Sequence, residues 1–381
     1  MNQELSNENL VELKDLLVPP FYIRLNKEYK EFLIENALKK KKSLKSLSKE
    51  IGCSPGTIRN FRYSKLESIN ADALKRLLEF LDIPICHIEK YVISVKRGCS
   101  NRAVQIKLPI KVKPELALLM AKSFGDGSIL SDWRFNYTNT QLNLVKEVVN
   151  AVSTSIGQGE YTLNHRIDRR CYEIKLSPVI GYILYLIGGI KGYKLDQKSK
   201  IPNWILKADK KTKSSFLRGI FDDESCVDHS RKNVKRIIIA MGKNQIYEKS
   251  IRQFFNQIVE LLAGFDISTG SLHVQQRYQD KIVIRLGIYR KSNLENFRRF
   301  INFTHVKKRK TLTKMIDSYV DKHVTKKIVL KTLINSKKSL TTLEVAKLND
   351  LKMRTASFHL NNLFREGIVK KIEGKPTFYY L

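Results

Sequence analysis

The sequence predicts an α+β fold in three parts: a repeated core of helices and strands set between two mainly helical modules. Apolar residues recur at helical spacing near both ends, and short alternating stretches recur in the middle. The middle also spells one order of elements twice, about 98 residues apart. A chain of 381 residues has room for two or three domains, each with its own core.

Residues 1–95 read as a run of helices. Residues 29–40 carry Phe32, Leu33, Asn36 and Ala37 at helical spacing, and 43–51 put Leu44, Leu47 and Ile51 on one face. Gly52 breaks the run. Ser54-Pro55 then supplies an N-cap followed by proline at the first helical position, which starts a helix over 55–63, and another covers 71–81. A short helix, a Gly-containing turn and a polar, basic second helix resemble a helix-turn-helix of the phage-repressor (Cro-like) kind over residues 27–83. The resemblance implies that Thr57, Arg59, Asn60 and Arg62 face DNA while Ile58 and Phe61 pack inward. An ordinary helical bundle is the alternative.

Residues 96–320 hold the repeat, with copies at about 112–205 and 212–318. Each copy opens with an apolar helix that ends in acid. The first runs from Leu116 into Gly125-Asp126-Gly127, the second from Phe216 into Asp222-Asp223-Glu224-Ser225. An alternating strand follows (134–138, 236–240), then a helix (142–156, 246–263). Two more strands come next (161–165 with 171–176, and 271–277 with 281–286), and a closing helix ends each copy (178–187, 294–301).

This pattern resembles the LAGLIDADG homing endonucleases over roughly residues 112–318. The nine-letter motif falls on 119–127 and 217–225, and the stretches 200–205 and 301–308 are similar to blocks the family places there. The resemblance implies tandem LAGLIDADG αββαββα repeats that form a DNA-binding saddle, flanked by all-α helix-turn-helix and winged-helix domains. It places Ala121 and Gly219 where the two motif helices cross, and Asp126 and Glu224 side by side as catalytic acids and Mg²⁺ ligands. Two close carboxylates repel when ionised, and oxygen-only ligation suits Mg²⁺, which assists phosphodiester hydrolysis. By position, Lys194 and Lys308 are the catalytic lysines, with Lys198, Lys200, Lys307 and Lys310 as competitors. Three departures stand out: Ser225 for the last Gly, Lys122 at an apolar interface position, and Glu for Asp in copy two. Asp222 or Asp223 becomes the ligand if the register slips.

Residues 321–381 carry helices over 324–334, 342–347 and 353–366, then two strands around the turn Glu373-Gly374-Lys375-Pro376. Gly367 ends the last helix as a left-handed C-cap. Together these resemble a winged helix-turn-helix, which implies DNA contacts from Arg354, Thr355, Ser357, His359 and, on the wing, Lys375. Winged helices also bind proteins, and that reading stays open.

Lys and Arg number 70 against 37 Asp and Glu, a formal charge of +33 that calls for a polyanionic partner. With no apolar run of roughly 18 residues and no secretory leader, nucleic acid is favoured over membrane, and a cytoplasmic location is expected. Double-stranded DNA is the expected partner, ahead of RNA bound by an intron maturase of the same fold. An internal pseudo-dimer implies a monomer. Cys53, Cys86, Cys99, Cys171 and Cys226 have neither zinc nor redox spacing, which suits a reducing compartment. A metal held by Cys86, His87 and Cys99 is weaker than idle side chains.

Two functions follow: a Mg²⁺-dependent, site-specific double-strand DNA endonuclease, or a transcriptional regulator that keeps the fold without cutting. Either way, duplex DNA binding should weaken by orders of magnitude as salt rises through the physiological range. A gel-shift titration against salt checks this; flat affinity would contradict it.

Overall fold

The computed structural model describes residues 9–64, 68–98, 102–229, 234–277, 280–319, 322–336, 338–374 and 376–381. Lys375 and Cys99 lie outside the described residues. The chain forms two compact units, Met1–Thr313 and Lys314–Leu381. Among the described residues no helix is long and apolar enough to cross a membrane.

The N-terminal helices form where the sequence places them: Lys27–Lys41, Leu44–Ile51, Pro55–Tyr63 and Ala71–Leu81. Asn26, Ser43, Ser54 and Asn70 each accept a backbone N–H at the helix they precede, satisfying donors the first turn leaves open. Ile58 and Phe61 are fully buried, while Arg59 and Asn60 are exposed. Thr57 bonds back to Ser54 (2.9 Å) and Arg62 lies 3.7 Å from Glu35.

The expectation of an all-α N-terminal region is corrected. A five-stranded sheet runs Ile69–Asn70, Phe21–Leu25, Val92–Arg97, Val104–Ile106, Gly157–Gly159. Residues 21–25 alternate buried and half-buried, the period of a strand covered on one face. This sheet crosses the division drawn at 95/96, because Val95 pairs with Val104 and Val104 with Gly159.

Two motif helices, Pro114–Phe124 and Lys210–Glu224, each lead into a four-stranded antiparallel sheet. Behind the first come strands Gly127–Ile129 and Phe135–Asn139, helix Leu142–Ser155, strands Tyr161–Arg166 and Cys171–Leu176, and helix Pro178–Leu186. Behind the second come Ser225–Asp228 and Arg236–Asn244, Glu248–Ala263, His273–Arg277 and Lys281–Ile288, and Lys291–Phe300. In both sheets the strands lie in the order first, second, fourth, third. The short strand directly after each motif helix was not legible, since three or four residues show no periodicity.

The motif helices cross at small residues. A Cβ added at Gly219 would lie 2.7 Å from the Ala121 Cβ and 3.1 Å from Leu118 Cδ1. Leu116 to Phe124 are all buried, so the first helix is apolar on every side except at Lys122 and Ser123.

In the second unit, Lys322–Ser336, Thr342–Leu348 and Met353–Arg365 pack with the sheet Leu340–Thr341, Phe378–Tyr380, Lys370–Ile372. Val329, Leu333, Val345, Leu360, Leu363 and Tyr379 are among its core residues. Gly367 takes φ +74°, and Ile368 N–H bonds Leu363 O in the closing turn. One expectation fails here. His359 is only 4 % exposed: it shares the buried stripe of Ala356, Leu360 and Leu363, three and four residues apart, and does not face solvent. Arg354 is exposed, with Thr355 and Ser357 half-buried.

Gly219→Val should overpack the crossing and destabilise the protein by about 1–3 kcal/mol. A lower urea midpoint at an unchanged slope would show it, and Ala121→Gly in the same chain should recover part of the loss.

Candidate functional site

The two motif helices end beside one another, and their ends are polar in an otherwise apolar core. The first helix stops at Gly125, whose N–H bonds Ala121 O; the second runs through Glu224 into strand Ser225–Asp228. Asp126 sits at the rim of an open cleft of about 380 Å³, lined also by Asn139, Asp222, Asp223, His305 and Lys308. Glu224 is half-buried.

Glu224 feels the charge of Asp126, and Asp126 that of Asp223. Surrounding protein pushes the Asp126 carboxyl up to about 6, with the Asp223 carboxylate as the second cause. Burial raises Glu224 to about 7, and the next contribution is the charge of Asp126 itself. Asn139 Nδ2 donates to Asp126 Oδ2 at 2.8 Å.

Asp222 and Asp223, which line the same cleft, already accept hydrogen bonds from the protein. Asp222 accepts the backbone N–H groups of His305 (2.9 Å) and Thr304 (3.1 Å), next to helix Val306–Asp317. Asp223 Oδ1 accepts from Lys122 Nζ and Tyr137 OH, both at 2.8 Å, and Oδ2 from Asp126 N–H at 3.2 Å. The Lys122 and Asp223 side chains are both 0 % exposed. This accounts for the lysine in an apolar helix: it neutralises an aspartate from the other motif. Gly125 makes room, because a Cβ there would lie 2.6 Å from Asp223 Oδ2. Ser225, in place of glycine, closes its own hydroxyl onto Phe221 O at 2.5 Å.

The two lysines chosen by position occupy corresponding places. Lys194 Nζ donates to Phe124 O (3.1 Å), Gly127 O (2.8 Å) and Gly125 O, so it caps the end of the first motif helix. Lys308 Nζ donates to Phe221 O (3.2 Å) and Asp222 O at the end of the second. Cations suit a helix C-terminus, where carbonyls are unsatisfied and the dipole is negative. Burial lowers the affinity of both ammonium groups for their proton. The competing Lys198, Lys200, Lys307 and Lys310 are exposed.

Sequence reading missed the residues that support this set. Lys243, from strand Arg236–Asn244, holds the Lys194 loop by donating to Gln197 O (2.8 Å) and Lys194 O. Burial pulls it down to about 8. Tyr137 was read only as strand, and Asn139 lay just beyond it. The lysine within the first motif was the one signal that pointed toward them.

The carboxylates fit a hard divalent cation. Both are oxygen donors whose mutual repulsion a cation would relieve. Among the described residues no three His, Cys, Asp or Glu side chains form a closed cage. A cation there would have to complete its ligands from water or phosphate, as Mg²⁺ commonly does.

The same charges set a pH dependence. In the unfolded chain these groups ionise near their ordinary 3.8 and 4.5. The folded values are higher, so the folded state binds more protons between them and stability falls as pH rises from about 4 to about 7. The Asp126→Asn, Glu224→Gln double variant should thus melt above the wild type at about pH 8, with the difference closing near pH 4. Added Mg²⁺ should raise the melting temperature of the wild type and leave the double variant where it is. Calorimetry measures both.

Residues 211–302 match a family model described as a LAGLIDADG-like domain. Among curated proteins, the tRNA-splicing ligase RtcB of Methanopyrus kandleri is 29% identical over 122 residues, 32% of this chain and 12% of that protein. RtcB of Methanocaldococcus jannaschii is 28% identical over 186 residues, 46% of this chain and 19% of that protein. The glutamine–fructose-6-phosphate aminotransferase of the same organism is 24% identical over 365 residues, 90% of this chain and 31% of that protein. The chain spans less than a third of the length of these three relatives. Among solved structures, I-DmoI in complex with DNA and Mn aligns at TM-score 0.34 and 15% identity, over 49% of this chain and 96% of that one. Full-length WhiA from Thermatoga maritima aligns at 0.34 and 10%, over 67% and 92%. The second motif helix, its sheet and the helices packed on it are, in sequence, similar to a LAGLIDADG-like domain.

Proposed function

We propose that this chain is a site-specific double-strand DNA endonuclease that hydrolyses phosphodiesters with a divalent cation, one motif acid serving each strand. The observation that carries this reading is the pairing at the two helix ends: Asp126 close enough to Glu224 to raise it, each helix end capped by a half-buried lysine. Asp126 and Glu224 would hold Mg²⁺, which when bound supplies a Lewis acid for the scissile phosphate. Lys194 and Lys308 place positive charge where a leaving oxygen gains negative charge, in a site partly shielded from water. Tandem αββαββα repeats would form the saddle over the duplex, and a formal charge of +33 supports binding to its backbone. A monomer suffices, because one chain supplies both acids.

In the same reading, the helix Pro55–Tyr63 offers Thr57, Arg59, Asn60 and Arg62 to DNA as part of a helix-turn-helix. The second unit, as a winged helix, offers Arg354, Thr355 and Ser357. His359 is withdrawn from that set by its burial.

A non-cleaving regulator is the second reading, favoured by how fully the lysines are spent. Lys194 and Lys308 already donate to helix carbonyls, which is what lysines kept only to cap helices would do.

Asp126→Asn and Glu224→Gln should each lower cleavage of a mapped target in Mg²⁺ by at least about 10²-fold. DNA affinity in Ca²⁺ should stay near wild type, because it comes from Lys and Arg. Tight binding to one site with no cleavage by wild type in Mg²⁺ or Mn²⁺ would decide for the regulator.

A further inference from the structure

The two acids have unequal surroundings. A continuous chain of side chains ties Asp126 into the core. Lys122 and Tyr137 both donate to Asp223 Oδ1, and Asp223 Oδ2 takes the Asp126 N–H. Asn139 Nδ2 bridges Tyr137 OH (3.3 Å) and Asp126 Oδ2 (2.8 Å), while Gln141 N–H fixes the Asn139 amide through Oδ1 at 2.9 Å. Asp126 is thus held by its backbone from one side and its carboxylate from the other.

Among the described residues no such network surrounds Glu224. Aligning the motifs puts Gly125 opposite Asp223 and Ile220 opposite Lys122. The strand registers Gly127↔Tyr137 and Ser225↔Ile239 put Ile239 opposite Tyr137 and Met241 opposite Asn139. All four polar members are replaced by groups that cannot hydrogen-bond through a side chain or do so only weakly. The network is also one-way: the second motif contributes Asp223, and it serves the acid of the first.

Resting on the endonuclease reading, we infer that Tyr137, Asn139 and Asp223 are positioning residues for Asp126 alone, so that the two half-sites act unequally and the strand served by Asp126 is cut first. The physical reason is preorganisation. A carboxylate already fixed at two points needs no reordering to take a cation and substrate, and a displacement of about 1 Å costs about 100-fold in rate. Glu224 has one more rotatable bond and, among the described residues, no side-chain donor of this kind to hold it.

Asp223 itself is a poor probe, because its loss strands the Lys122 charge in the core. Tyr137→Phe and Asn139→Ala keep that ion pair. On a duplex labelled separately on each strand, the wild type should accumulate a nick in one strand before linear product. Both variants should slow that strand by about 10- to 100-fold and leave the other within about twofold. Mn²⁺ titrated into the protein–DNA complex and followed by electron paramagnetic resonance should bind more weakly at one site in both variants. Equal wild-type rates on the two strands, or variants that slow both strands alike, would overturn the inference while leaving the endonuclease reading standing. If the wild type cuts neither strand, that reading falls, and unchanged Mn²⁺ affinity in both variants then overturns the inference as well.

Discussion

The close crossing of the two motif helices is the constraint on which the rest of the first unit depends. At Gly219 the backbones approach until even a methyl group would meet Ala121 and Leu118. Helices this close share one buried interface, and side chains at their ends have no independent space. The acid-bearing ends therefore lie side by side. Every polar group there must be satisfied by the other helix, by a strand or by a lysine reaching in from a neighbouring segment.

The polar groups at that junction answer to this demand. A fully buried ion pair such as Lys122–Asp223 gains little over a well-packed apolar pair, yet removing one partner costs about 3–5 kcal/mol. Its residues stand where the motif normally has apolar or small ones, so each departure makes sense only beside the other. Lys194 and Lys308 do related work at the carbonyl ends of the helices. The site carries positive charge held by backbone geometry and negative charge held against its own repulsion. Such an arrangement costs stability when the acids are ionised.

The N-terminal helices are built into the first unit. Their sheet reaches from Ile69–Asn70 to Gly157–Gly159, and only Glu160 separates that last strand from Tyr161–Arg166 of the first repeat sheet. The N-terminal sheet thus runs, through one strand, into the chain segment that enters the sheet beside the first acid.

Much of this was legible from the chain alone, because local patterns decide local elements. Ser54-Pro55 starts a helix through capping, Gly367 ends one through its positive φ, and the paired acid-ending helices announce a doubled core. The charge of +33 came from the same reading, as did the expectation that Asp126 and Glu224 stand at two helix ends that meet. Where periodicity was short or ambiguous, it failed. His359 was assigned outward although it lies on the stripe of Ala356 and Leu363, and the strand at 21–25 was passed over beside stronger helical signals. What tertiary structure alone decided is which charges meet. Lys122 and Asp223 are 101 residues apart, and Lys194 and Gly127 are 67 apart. No local rule distinguishes a lysine that caps a helix from one in solvent; that depends on which backbone carbonyls folding brings within reach.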